Sequence, residues 1–94
     1  MEITIYTSTG CVWCERMKEL MTRANQEYTE ILWQELTAAE QKEFGNQWKD
    51  HENFNGSFPC AFIDGELVGG LVPVAKKFMA DGLVSAPQKW KNLK

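Results

Sequence analysis

Glu2-Ile3-Thr4-Ile5-Tyr6-Thr7-Ser8-Thr9-Gly10-Cys11-Val12-Trp13-Cys14 is the stretch whose reading decides the fold. Ile3 and Ile5 alternate with Thr4 and Tyr6, all β-branched or aromatic, which is the pattern of a strand. Ser8-Thr9-Gly10 breaks that strand. From Cys11 to about Ala24 the apolar residues Trp13, Met17, Leu20, Met21 and Ala24 recur at helical spacing. A strand running into a helix, with two cysteines at the joint, is the unit from which the rest of the chain is read.

Glu27 to Leu32, led by Tyr28 and Ile31, reads as a second strand, joined to the first through the helix. Such a pair lies parallel, with a right-handed crossover. Thr37 followed by Glu40 is a capping-box pattern, so a second helix is predicted from there towards Lys49, with Gly45 as its weak point. Asp50 to Ser57 reads as a loop. Cys60-Ala61-Phe62-Ile63 and Glu66-Leu67-Val68-Gly69 flank Asp64-Gly65, a β-hairpin signature. Gly69-Gly70 ends it, and Pro73 sits in the first turn of a third helix ending near Gly82. The stretch from Leu83 to Lys94, with Pro87 and Trp90, carries no clear signal. The expectation is one α/β domain over 1–94. Its central mixed four-stranded sheet follows the order βαβ, helix, β-hairpin, helix, flanked by three or more helices.

A length of 94 residues suits a single core. A net charge of −3 gives no electrostatic reason to expect nucleic-acid binding. No apolar run approaches a membrane span, and Met1 leads straight into the first strand without a signal-like segment. A soluble, cytoplasmic monomer is the expectation. Three cysteines are too few, and odd in number, for the disulfide framework of a small secreted domain. One close pair and one extra thiol suit a reducing compartment.

Chemistry concentrates at Cys11 and Cys14. Amide groups in a helix's first turn lack intrahelical partners and carry partial positive charge, so a thiolate at Cys11 is stabilised and its pKa falls. Arg16 and Lys18 add to this and Glu15 opposes it. Cys14, three residues on, shares the face of Cys11 and is placed to resolve a mixed disulfide. Val12 and Trp13 carry no charge and tune access, with Trp13 read as a partner-docking ring. Half of a zinc site is the alternative, with only Cys60 and His51 left to complete it at an unusual spacing. Cys60 itself reads as a buried small apolar residue. His51 reads as solvated, and Trp33, Trp48 and Trp90 as packing residues.

Taken with the second half of the chain, these motifs resemble the glutaredoxins. Ile3-Thr4-Ile5-Tyr6-Thr7 before the cysteine pair, Ser57-Phe58-Pro59 in place of a Thr-Val-Pro segment, Phe62-Ile63-Asp64-Gly65 and Val68-Gly69-Gly70 carry the likeness, over about residues 2–85. The resemblance implies a thioredoxin-like fold and thiol–disulfide exchange at Cys11 and Cys14. It implies a cis proline at Pro59 and pairing of the Phe58 backbone with an extended substrate or glutathione. Gly70, Leu71 and Val72, with Trp13, would complete the binding site, the helix amides meeting a carboxylate. Glutathione is the implied co-substrate, with no tightly bound cofactor, and protein disulfides are the substrates. Ribonucleotide reductase is a candidate partner, since Val12 looks like the redoxins that serve it. Three departures are visible: Val12-Trp13 replaces Pro-Tyr, Ser8 stands where a Lys often binds the ligand, and no Asp follows Gly69-Gly70. They weaken the expected grip on glutathione and make a thioredoxin reductase the competing electron donor. A module binding an iron–sulfur cluster or zinc is the alternative function, because some family members share a 2Fe–2S cluster between two subunits.

Overall fold

The computed structural model describes residues 1–84 of the chain. Four strands, β1 (Ile3–Thr7), β2 (Thr29–Leu32), β3 (Cys60–Ile63) and β4 (Glu66–Gly69), form one sheet in the order β2-β1-β3-β4. β1 pairs parallel with β2 and antiparallel with β3, and β3 pairs antiparallel with β4. Three helices accompany it: α1 (Val12–Arg23), α2 (Ala38–Trp48) and α3 (Leu71–Ala80). The expected order of elements is met. Trp90 and most of the C-terminal stretch lie outside the described residues.

The turn chemistry explains the hairpin. Asp64 and Gly65 both have positive φ, +52° and +84°, which is what a two-residue type I′ turn requires and what Asp-Gly supplies most cheaply. The same Asp64 ties the hairpin back to the start of β1. Its carboxylate accepts from the Glu2 N–H at 2.8 Å, and its own N–H donates to the Glu2 carbonyl at 2.7 Å.

The strands alternate cleanly between two faces. Ile3, Ile5, Ala61 and Ile63 point to one side and bury Met17, Leu20 and Met21 of α1 with Val74 and Phe78 of α3. Cys60, Phe62 and Leu67 point to the other, where Tyr6, Phe54 and the α2 residues Phe44 and Trp48 cover them. The residues of α2 are nowhere fully buried, so this helix lies on the sheet through its rings alone. Its start is fixed locally: Thr37 Oγ1 accepts from the Glu40 N–H at 3.1 Å and Glu40 accepts from the Thr37 N–H at 2.8 Å.

Several boundaries differ from the sequence expectation. β2 begins at Thr29, two residues after Glu27, because Gln26 N–H still bonds back to the Met21 carbonyl in the turn that closes α1. Trp33–Glu35 forms a single 3₁₀ turn that periodicity did not reveal. The place of Pro73 agrees with the expectation: it is the third residue of α3, within the first turn. His51 is not simply solvated: its Nδ1 accepts from the Asn53 N–H at 3.0 Å and its ring lies 5.7 Å from that of Trp48.

Candidate active site

Cys11 occupies the N-cap of α1, with φ −92° and ψ 108°, so the helix proper begins at Val12. Its Sγ accepts from the Cys14 N–H at 3.1 Å, the bond that an N-cap Ser or Asp oxygen makes elsewhere. Cys11 and Cys14 are joined by a disulfide, their Cα atoms 5.2 Å apart. The two differ in access. Cys14 is 2% exposed and belongs to the core, whereas Cys11 is half-buried and flanked by Val12 and Trp13, which are 67% and 62% exposed. An outer sulfur at a helix N-terminus and an inner one behind it can divide the work of attack and resolution.

The expected help from nearby cations is reduced. Lys18 is engaged by Glu30 at 2.8 Å and by Glu15 at 3.4 Å. Hydrogen bonding to Glu30 raises the Lys18 pKa, with a smaller opposing effect of burial. Glu30 is held below the usual carboxylate range by the Lys18 hydrogen bond and by the Thr7 hydroxyl, which donates to it at 2.7 Å. These groups and both cysteines line one cavity of about 380 Å³ beside α1. Such a chain of pairs neutralises Lys18, leaving the helix terminus as the principal source of positive potential at Cys11.

A second groove, of about 510 Å³, brings together all six residues that the resemblance implies for substrate binding. Trp13, Phe58, Pro59, Gly70, Leu71 and Val72 line it, with Asn53, Ser57 and Pro73 among their neighbours. The Phe58–Pro59 peptide bond is cis, as expected for this position. The conformational demand for glycine falls on Gly69, at φ +120°, where a Cβ would stand 3.4 Å from Pro73 Cγ and 3.5 Å from the Asn53 carbonyl. Gly70 has an ordinary φ of −85°, so backbone strain does not require glycine there. Gly70 caps α3 without a side-chain bond, and no acidic residue stands in the first turn. The first-turn amides of α3 therefore have neither an intrahelical nor a side-chain partner.

Ser8, where the resemblance places a Lys, accepts from Gln34 Nε2 at 2.8 Å, and Gln34 Oε1 accepts from the Thr9 N–H at 3.2 Å. Trp33 stacks 5.5 Å from Phe58. Trp33 is a packing residue as expected, but neither its contact with Phe58 nor the Gln34 bonds are legible in the sequence, since both bridge about 25 residues and carry no local pattern. Cys60 is 6% exposed, and burial pushes its thiol up to about 11, which fits the small-apolar reading. Among the described residues, no group of three or more His, Cys, Asp or Glu side chains is placed to hold a metal ion.

A cysteine pair on the first turn of a helix, fed by the central strand of a mixed sheet, defines a thiol–disulfide oxidoreductase of the thioredoxin-like fold. The family model for Glutaredoxin matches residues 3–68, and the chain belongs to that family. Among similar solved structures, the glutaredoxin from Brucella melitensis is 28% identical, with 89% of this chain and 88% of that one covered at a TM-score of 0.63. The holo form of glutaredoxin C1 from Populus tremula × tremuloides is 26% identical, with 86% and 77% covered at 0.67. A buckwheat glutaredoxin–glutathione complex, 20% identical with 86% and 71% covered at 0.68, supports the fold alone. No curated protein sequence matches the chain.

Proposed function

We propose that this chain reduces disulfides of protein substrates through Cys11 and Cys14. The observation that carries the reading is the unequal exposure of two bonded sulfurs at a helix N-terminus. The Cys11 thiolate attacks one sulfur of the substrate disulfide, a Cys11–substrate bond forms, and the other substrate sulfur leaves as a thiolate and takes up a proton. Cys14 then loses its proton and attacks Cys11 Sγ, releasing the second substrate thiolate. Two electrons pass to the substrate and the enzyme is left as the Cys11–Cys14 disulfide. Trp13, Phe58, Pro59, Gly70, Leu71 and Val72 seat the substrate, the Phe58 backbone pairing with it as an added strand.

Glutathione, the co-substrate of glutaredoxins, is the proposed source of new electrons, two molecules forming one oxidised glutathione per cycle. Among the described residues that line the groove, Glu52 is the only charged one, so the ligand's carboxylates would rest on the α3 amides with no cationic partner from that set. That favours extended, apolar protein segments over free glutathione, and keeps a thioredoxin reductase as the second reading for the electron donor. Ribonucleotide reductase is the partner proposed from the resemblance. A cytoplasmic setting is proposed because the pair must be re-reduced to act. No helix among the described residues is long and apolar enough to cross a membrane. A monomer suffices for this chemistry.

The test is reduction of a peptide–glutathione mixed disulfide with glutathione and glutathione reductase, run beside a thioredoxin-reductase arm. Activity that disappears in Cys11→Ser supports the reading, and the arm that turns over identifies the donor. Failure in both arms would reject it and favour the metal-binding alternative, which a brown colour or stoichiometric metal in the purified protein would then support.

A further inference from the structure

We propose that the 3₁₀ turn after β2 is a clamp that fixes the spacing of the two active-site loops, with Gln34 positioning the Cys11 loop and Trp33 positioning Phe58. The proposal rests on the reading of Cys11 as the attacking sulfur and of the Pro59 groove as the substrate's seat.

Two adjacent side chains reach two different loops: the one before Cys11 and the one that carries Phe58. The Gln34 amide uses both ends on the segment between β1 and Cys11, accepting from the Thr9 N–H at 3.2 Å and donating to Ser8 Oγ at 2.8 Å. That segment needs a hold. It ends in Gly10 at φ +72°, with open space where a Cβ would be, so no side chain of its own packs it in place. Trp33 faces the other loop, with its ring 5.5 Å from Phe58 and 5.4 Å from Phe44. The turn is itself anchored from behind, because Gln41 Nε2 of α2 donates to the Trp33 carbonyl at 2.9 Å.

The turn therefore ties α2, the Cys11 loop and the Phe58 loop together within two residues. Gln34 is uncharged and exposed, so it contributes little field and little global stability. Its effect falls on where Cys11 Sγ sits relative to a substrate laid along Phe58. Misplacement by a fraction of an ångström is costly in a reaction that needs an aligned approach of one sulfur on another.

The experiment uses the full chain and the mixed-disulfide assay. The wild type must first show Cys11-dependent turnover; if it does not, the functional reading fails and the clamp is not at issue. Given turnover, Gln34→Ala lowers kcat by about three- to tenfold with KM and melting temperature little changed. Ser8→Ala gives part of that loss, and the Ser8→Ala/Gln34→Ala double variant is no worse than Gln34→Ala alone, because one interaction is being removed twice. Trp33→Ala raises KM by about tenfold with kcat retained. Since Trp33→Ala also opens the aromatic cluster, Trp33→Phe is the rescue, restoring KM by keeping a ring against Phe58. Unchanged kcat in Gln34→Ala, additive losses in the double variant, or a Trp33→Ala defect that only follows melting temperature would each overturn the clamp.

Discussion

The two faces of the sheet bury comparable strands with different chemistry. Under α1 and α3 the contacts are mainly aliphatic, with the single ring of Phe78, and closed: Ile5, Met17, Met21, Val74 and Phe78 are all inaccessible to solvent. Under α2 the contacts are aromatic and open. Tyr6 lies 4.7 Å from Phe44, Trp48 lies 4.9 Å from Phe62, and the chain of rings continues through Trp33 to Phe58. Closed aliphatic packing fixes the fold and the seat of Cys14. The ring chain runs outward to the loop that carries Pro59. One face makes the scaffold, and the other reaches the groove lined by Phe58 and Pro59.

The sharpest way to break this contrast is truncation on each side. Phe78→Ala should destabilise the protein by about 3–5 kcal/mol, because a fully enclosed ring leaves a cavity that its neighbours cannot fill. Phe44→Ala, on the half-buried face, should cost about half as much, since water reaches the gap. Urea titration of both variants checks the ordering. Equal costs would show the aromatic face to be as closed as the aliphatic one.

Cys60 tests the aromatic face by pH. Its thiol is raised from an ordinary value of 9.0 to about 11 by burial. The native state therefore keeps a proton that the unfolded chain loses near pH 8.5–9, so stability falls as pH rises through that range towards 11. The loss should reach about 2 kcal/mol at the upper end. Denaturation midpoints at pH 7, 9 and 10.5 for wild type and Cys60→Ala are the measurement. A slope that survives in Cys60→Ala would assign the effect to another group, Tyr6 being the neighbour whose pKa burial also raises.

Where the chain spoke for itself, the cause was local. Asp64-Gly65 dictates a turn by its own torsions, Thr37 and Glu40 satisfy each other within one turn, and Ile3 and Ile5 declare a buried face by alternation. The joint at Cys11 was legible for the same reason, because a helix's orphan amides belong to its first turn. What the chain concealed was made by distance. Gln34 and Ser8 are 26 residues apart, and Lys18 meets Glu30 across the α1–β2 crossover. Neither residue type announces its partner, so the 3₁₀ clamp and the neutralisation of Lys18 emerged only when the strands were laid side by side. The groove was an intermediate case: a resemblance named its six residues, and packing then placed them around one cavity.

A smaller effect sharpens the account of α2. Because this helix has no fully buried residue, its cap should make a measurable contribution beside that of its rings. Thr37→Ala removes an acceptor for the Glu40 N–H and should cost about 1 kcal/mol. Retention of wild-type stability would mean that the rings alone hold α2 in place.

The smallest expected effect lies at the Lys18–Glu30 pair, on the rim of the cysteine cavity. Glu30 is held below its ordinary value, so it stabilises the fold above the unfolded pKa of about 4.3 and loses that contribution as pH falls through the native value. The pair is about a third exposed, so solvent screening keeps Glu30→Gln within about 1 kcal/mol at pH 7. The variant should lose some of the wild type's acid sensitivity between about pH 5 and 3. It should also leave the Lys18 ammonium less neutralised, beside the cysteines whose cavity it lines. In the reduced protein, the pH at which Cys11 begins to alkylate should therefore move downward in Glu30→Gln and upward in Lys18→Met. If neither variant moves it, the thiolate owes its stabilisation to the helix terminus alone, and the charges around it serve only the scaffold face.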